Sequence, residues 1–336
     1  KWAGRAAAAG GRGAPFPAPD TETTKKAVMM ALKRRTAILA ALGLAAVIAV
    51  LLWKPTVLIY GLQAAGLYAA IAIPMGLVLG IVHIVNLAHG EFMMVAAYAT
   101  YFACKALGMD PLLAILPTAA VTAAFGWIVF QLTIRRALKA PELNQLILTF
   151  GIAIAFSQGV NLIFTSQTYK MPLDYVSASM DIGELTFGTW SFVFIAMAIL
   201  YAAGLKFFLT KTTTGKAALA VGQNPRGAAI VGIDVYKTYG LVFALAIALV
   251  GAMGALFLTK SAIFPTVGSP YTMKSFCLVA MAGVGNIPGI LSASILLGLS
   301  ENFIRAFRAT REWADIVFFV LIIVVIMSRS LKGRKS

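Results

Sequence analysis

The segment Ile84–Tyr98, IVNLAHGEFMMVAAY, sets an amide, an imidazole and a carboxylate within an otherwise apolar stretch. Asn86 and His89 are three residues apart and can share one helical face, with Glu91 close behind. Polar and ionisable side chains are costly at membrane depth and usually functional there. Two roles fit: a polar element beside a translocation path, or a packing motif in which Asn86 and His89 hydrogen-bond to neighbouring helices. Gly90 permits a close helix approach or a kink. Metal chemistry is not indicated, because His83, His89 and Glu91 lack the i, i+4 histidine pair of metalloprotease helices. No metal or other cofactor is expected.

A second group lies in the polar stretch Gly215–Val235, GKAALAVGQNPRGAAIVGIDV. Asn224 is a good N-cap, and Pro225 follows at the first helical position, where its missing N–H costs nothing. Gly232 stands where a C′ glycine would end the helix. These signals predict a helix over Pro225–Val231, too short to hold itself together in water. Such a helix suits docking into a groove on another protein. Small residues at Gly227, Ala228 and Ala229 would allow a close fit.

A third group is the run Gly283-Val284-Gly285-Asn286-Ile287-Pro288-Gly289. Gly283, Gly285, Pro288 and Gly289 should break a helix at membrane depth. Breaks there are tolerated only where they line a cavity or are buried in protein. This one is expected to line or gate the outward side of a path.

The elements that hold these groups are set by composition. The chain has 336 residues, 60% hydrophobic and 12% charged, with a mean hydropathy of +0.88. Soluble domains run nearer a quarter charged, so this is an all-α polytopic membrane protein. Apolar segments at 37–53, 57–83, 91–107, 112–134, 145–164, 189–209, 238–258, 275–286, 288–304 and 313–328 give about 10 crossings (8–10), with a broken helix near 283–289. The net charge of +16 comes from basic residues clustered just outside apolar segments. That is the pattern of cytoplasmic anchors rather than of a nucleic-acid surface. It puts both termini and the loop 206–237 in the cytoplasm, and 165–188 outside. Residues 1–36 read as a disordered, basic cytoplasmic tail, 37–328 as the transmembrane domain with its cytoplasmic loop 210–237, and 329–336 as a second basic tail. The segment 37–53 reads as an uncleaved first span. Cys104 and Cys277 lie in apolar segments and imply no disulfide.

With these elements in place the three groups resemble one family. NLAHGEFMMVAAYATY is similar to the signature near the N-terminus of permeases of branched-chain amino acid ABC importers. KTTTGKAALAVGQNPRGAAIVGIDV resembles that family's cytoplasmic coupling loop, and Phe264–Gly289, ending AGVGNIPG, its late Gly-rich element. The three occur in the family's order, and the similarity covers residues 55–328.

The resemblance implies a multi-pass subunit of the cell (inner or plasma) membrane working with two ATPase subunits, an external substrate-binding protein and a second homologous permease. The Asn-x-x-His-Gly-Glu form resembles the type that pairs with a different permease as a heterodimer. The cargo implied is branched-chain or other hydrophobic amino acids, with urea or short amides as the alternative. Asn86, His89 and Glu91 would then flank the path, and Gly283, Gly285, Pro288 and Gly289 would form the gate. Gly215, Asn224, Pro225, Ala228 and Gly232 would couple it to the ATPase. The chain has no P-loop: Gly215-Lys216 lacks the earlier Gly and the following Ser/Thr, so it should not itself be an enzyme. An ion-coupled secondary transporter is the rival reading, with only Glu91 and Glu301 as acidic candidates.

Overall fold

A computed structural model describes residues 55–182 and 185–316, together with 319, 320, 323 and 327. The N-terminal tail, the segment 37–53 and the tail 329–336 lie outside the described residues, as does half of 313–328. Ten α-helices of six or more residues are described: α1 (Pro55–Ile81), α2 (His89–Leu107), α3 (Pro111–Val129), α4 (Glu142–Phe164), α5 (Phe192–Lys211), α6 (Thr213–Gln223), α7 (Pro225–Ile230), α8 (Val235–Lys260), α9 (Gly268–Ala282) and α10 (Ile287–Arg305). A π-helical turn, Phe130–Ile134, carries α3 on to Ala137. Among the described residues the strands form one small antiparallel hairpin between α4 and α5, β1 (Ser179–Ile182) and β2 (Leu185–Gly188), with Ser179 opposite Gly188.

Six of the described helical stretches are long and apolar enough to cross a bilayer: α1, α3 with its extension, α4, α5 with the turn before it, α8 and α10. They divide into two kinds. The apolar windows of α1 and α8 are 78% and 72% buried, against 17% to 22% for α3, α4 and α5. Helices that are apolar on every side must be covered on every side. Protein covers α1 and α8, whereas the outer surfaces of α3, α4 and α5 match a lipid-facing layer.

Local signals start the helices. Asp110 caps α3, its Oδ1 accepting from Leu112 N at 2.8 Å with Pro111 at the first position. Asp234 caps α8 through Lys237 N at 2.9 Å. Asp110 also accepts from the Tyr175 hydroxyl at 2.9 Å, which ties the 165–188 loop to the start of α3. Burial and this bond to a carboxylate hold the Tyr175 phenol well above its usual pKa.

The chain uses one pattern twice. Long helix α1 is followed by a seven-residue non-helical link, 82–88, and then α2; long helix α8 is followed by the link 261–267, and then α9. The link 82–88 turns back into the bundle, so that α2 starts beside the middle of α1. His89 Nε2 lies 2.8 Å from the Ile71 carbonyl. The N-terminus of α9 meets that of α2, where Gly90 N–H donates to Thr272 Oγ1 at 2.7 Å. Packing is exchanged between the two arms: α1 lies against α9 and α10, and α8 against α2 and α3. Paired broken helices in opposed arms are a recurrent transporter design.

The expected segments 91–107 and 275–286 are therefore the two interrupted ones. The second begins earlier than the apolar run suggested, at Gly268, and ends at Ala282.

The bundle has two distinguishable ends. Gln63, near the start of α1, donates to the Gly188 carbonyl of the hairpin at 3.0 Å. At the far end of α1, a Cβ on Gly222 of α6 would stand 3.3 Å from the Gly80 carbonyl. The hairpin thus marks one end and α6–α7 the other.

Candidate functional site

Four groups of residues can do chemistry or transmit force, and the structure places each. Asn86, His89 and Glu91 are buried at 1%, 0% and 3% exposure where α2 begins. Asn86 Oδ1 accepts from Ala88 N at 3.1 Å, shaping the end of the link. His89 Nε2 faces a carbonyl, which can only accept, so this nitrogen carries the hydrogen and His89 braces α2 against α1. Asn86 Nδ2, His89 Nδ1 and Glu91 Oε2 have no partner among the described residues. Gly90 makes the crossing possible: a Cβ there would collide with the Gly268 carbonyl oxygen, and one on Gly268 with that of Gly90.

The second group was not singled out as a site from the sequence. Lys274 of α9 is 8% exposed and reaches Glu301 of α10, 1% exposed, at 3.0 Å. The Tyr68 hydroxyl of α1 donates to Glu301 Oε2 at 2.7 Å and accepts from Lys274 Nζ at 3.1 Å. Arg305, one turn further along α10, closes on the same carboxylate and on Asp315 at 3.2 Å. Three helices are thus pinned by one carboxylate between two cations. A lysine and a glutamate in apolar runs 27 residues apart were the available signal. Buried charges of opposite sign seek each other. The network borders a pocket of about 620 Å³ lined by Tyr60, Asn302, Arg305, Arg311 and Asp315 at the hairpin end.

The third group is the break. Gly283 (φ 92°) ends α9 and Gly285 (φ 75°) turns the chain. Asn286 then caps α10, accepting from Gly289 N at 3.0 Å with Pro288 in the first turn. The break falls where the sequence put it. Its side does not. A Cβ on Gly80 would stand 3.0 Å from Gly285 Cα, so the turn sits at the α6–α7 end. An outward gate at 283–289 and a cytoplasmic 206–237 loop cannot both hold. With that loop read as cytoplasmic from its basic residues, the break falls on the cytoplasmic side and not on the outward one. Gly285→Val should cost roughly 1–2 kcal/mol through its left-handed backbone. Gly285→Asn should cost less, because the short polar Asn side chain tolerates the left-handed region far better than a β-branched one, and the nearest atom to an added Cβ is 3.9 Å away. Comparing the melting temperatures of the two purified variants checks this.

The fourth group is the loop. Asn224 caps α7, its Oδ1 accepting from Gly227 N at 2.9 Å, with Pro225 in the first turn. Gly232 follows with φ 86°. The helix ends at Ile230, one residue before the expected limit. Preceding it is an amphipathic helix, α6, that the loop reading omitted, with Gly215, Ala218 and Val221 buried at three- and six-residue spacing. Two coupling assignments are corrected. Ala228 is 4% exposed and faces inward, so it cannot meet a partner. Gly215 lies against the Phe208 carbonyl at the end of α5, where any side chain would collide. The surface presented outward is Ile230, 86% exposed, and Val231, 74% exposed. Beside it is a pocket of about 470 Å³ bordered by His83, Glu142, Arg226, Ala229 and Tyr236.

No group of three or more metal-ligating residues occurs among the described residues. Cys104 and Cys277 are both buried and unbridged.

Residues 57–326, most of the chain and all four groups, match the family described as "Branched-chain amino acid transport system / permease component". The chain belongs to this permease family. Its relatives include the high-affinity branched-chain amino acid transport system permease protein LivH of Salmonella typhimurium, 27% identical over 82% of this chain and 94% of the relative. BraD of Pseudomonas aeruginosa, with the same description, is 28% identical over 81% and 92%. A probable branched-chain amino acid transport permease protein LivH from Methanocaldococcus jannaschii is 28% identical over 73% and 80%. No solved structure matches. This permease is accordingly a multi-pass, all-α transport component, and its matched region contains the two opposed arms.

Proposed function

We propose that this permease is the membrane-spanning subunit of an ATP-driven importer that moves branched-chain or other hydrophobic amino acids inward. The reading takes its cargo from the relatives' names. Its partners are two ATPase subunits, a second homologous permease and an external substrate-binding protein. The observation that carries the coupling half is the apolar tip of α7. Ile230 at the end of α7 and Val231 just beyond it stand exposed on a helix far too short to persist alone, and large exposed apolar groups at a loop tip mark a partner surface. The basic residues of the loop support a cytoplasmic position for that tip.

The ion-coupled alternative needs an acidic residue free to change partners. Glu301 is already engaged by Lys274, Arg305 and Tyr68, which weighs against it. Glu91, with one buried carboxylate oxygen unpartnered among the described residues, is the acidic candidate that alternative retains; in our reading it, Asn86 and His89 form a polar element beside the route where α2 and α9 meet. The break at 283–289 serves the cytoplasmic side of that route.

Ile230→Asp tests the coupling. Loss of an interface anchor typically weakens association by roughly 2 kcal/mol or more, so the variant should insert normally yet fail to retain the ATPase on purification. Unchanged ATPase retention and uptake would sink the coupling role. Ala228→Trp is unsuitable here because it would unpack the loop itself. Uptake of labelled L-leucine against labelled urea decides the cargo.

A further inference from the structure

At the hairpin end, a pocket of about 260 Å³ opens between α4 and the link 261–267. Ser157, Gln158 and Asn161 of α4 form one wall, and Phe264 and Thr266 of the link form the other, with Thr168 at the rim. No lining residue carries a charge. The link alternates like a strand: Ile263 and Val267 are buried at 0% and 5%, while Phe264 and Thr266 turn to the pocket. Ser157 Oγ donates to the Pro265 carbonyl at 2.9 Å, joining the walls. Asn161 Oδ1 is taken by Ser166 Oγ at 2.8 Å, which leaves its Nδ2 hydrogens and the Gln158 amide for a guest. The link is held from outside by a pair of backbone bonds between Tyr169 and Ile263, at 2.8 and 2.9 Å.

Non-helical backbone at membrane depth occurs only where it is buried in protein or borders water. The inner face of this link is buried, so its outer face, with Thr266, borders water or a partner subunit rather than lipid. Gln158 and Asn161 lie roughly 5–10 Å inside the end of α4 at 1.5 Å per residue. Amides at that depth would be unfavourable against lipid. The pocket is smaller than the roughly 300–1,000 Å³ that hold drug-sized ligands, which suits a solute of amino-acid size.

We propose that this pocket is an outer subsite for the transported solute, and that the solute is small and neutral or zwitterionic, held by amide and hydroxyl groups with its apolar part against Phe264. The subsite rests on the transport reading above and adds where the cargo is first held. An ionic cargo is disfavoured, because a net charge needs a charged partner when it leaves water.

The test uses the assembled importer in proteoliposomes, with Asn161→Cys, Thr266→Cys and, as a control, Leu107→Cys at the same end of the bundle. The native cysteines are buried, so the unmodified chain serves as the blank. A membrane-impermeant methanethiosulfonate is added outside, and labelled L-leucine uptake and ATP hydrolysis are read before and after. Modification of the thiol introduced at position 161 or at position 266 is expected to cut uptake by about tenfold or more while hydrolysis changes less than about twofold, and the control should do neither. Unreactive thiols at both positions, or reaction with uptake unchanged, overturn the subsite. If the cysteine variants do not assemble, the near-isosteric Thr266→Val replaces them. A rise in the KM for uptake of about threefold supports the subsite, being the loss of one uncharged hydrogen bond, and an unchanged KM overturns it. Should the unmodified importer carry urea and not leucine, the amino-acid cargo fails, and block of urea uptake by the same modification still identifies the subsite.

Discussion

Glu301→Leu is expected to destabilise this permease by roughly 3–5 kcal/mol, the cost of removing one partner from a buried ion pair. The cause is local. Lys274 has 8% exposure and loses both of its contacts to the carboxylate, at 3.0 and 3.1 Å. Asp315, its other acidic neighbour, is 3.9 Å away on a side chain that is 74% exposed. Tyr68 loses its acceptor in the same step. Lys274→Met should be milder, since Glu301 keeps Arg305 and the Tyr68 hydroxyl. The double variant Lys274→Met/Glu301→Leu should recover most of the loss, because a well-packed apolar pair is often as stable as a buried ion pair. Melting of the three detergent-purified variants gives the coupling energy directly. Single variants that melt like the parent, or a double variant as weak as the sum of its parts, would contradict this account.

Gly268→Val should be about as damaging, by a different route. A Cβ at Gly268 would fall on the Gly90 backbone, which cannot swing aside as a flexible side chain can. The starts of α2 and α9 would have to separate, breaking the bond from Gly90 N to Thr272 and straining the His89 brace on Ile71. Overpacking of this kind costs ~1–3 kcal/mol and sometimes more, and the backbone clash puts this site at the upper end. Gly268→Ala should already show the loss. Gly151→Ala and Gly159→Ala are the matched controls, since nothing lies within 4 Å of a Cβ at either. The share of monodisperse protein on size exclusion after expression separates the two classes. Equal recovery of all four variants would show that the crossing is not tight.

How much of this was legible from the residues follows from how local each signal is. The cap at Asn224 and the stop at Gly232 act over one turn, so α7 was readable to within a residue. The break at Gly283–Gly289 was readable for the same reason. Its side was not, because side depends on how many helices precede it and on which ones turn back. The link 82–88 looked like the tail of an apolar span, and only the His89–Ile71 contact reveals that α2 begins inside the bundle. Ala228 misled because smallness suits either face of a helix, and burial alone decides which. Lys274 was passed over because its partners lie on α1 and α10, 206 and 27 residues away. Neither distance leaves a mark on the local pattern.

Gly80, Gly222 and Gly285 meet where α1, α6 and the turn before α10 come together. A Cβ on Gly80 would stand 3.0 Å from Gly285 Cα, and one on Gly222 3.3 Å from the Gly80 carbonyl oxygen. The joint is therefore mostly main chain against main chain, with the Ile81 side chain at its edge, 3.6 Å from a Cβ on Gly222. Main chain has no rotamers with which to absorb a push, yet with so few interlocked knobs it offers little resistance to sliding. Such a contact behaves as a bearing rather than a clasp. A thrust delivered to α6 and α7 would pass through it stiffly, and the surfaces would remain free to glide back when the thrust ends.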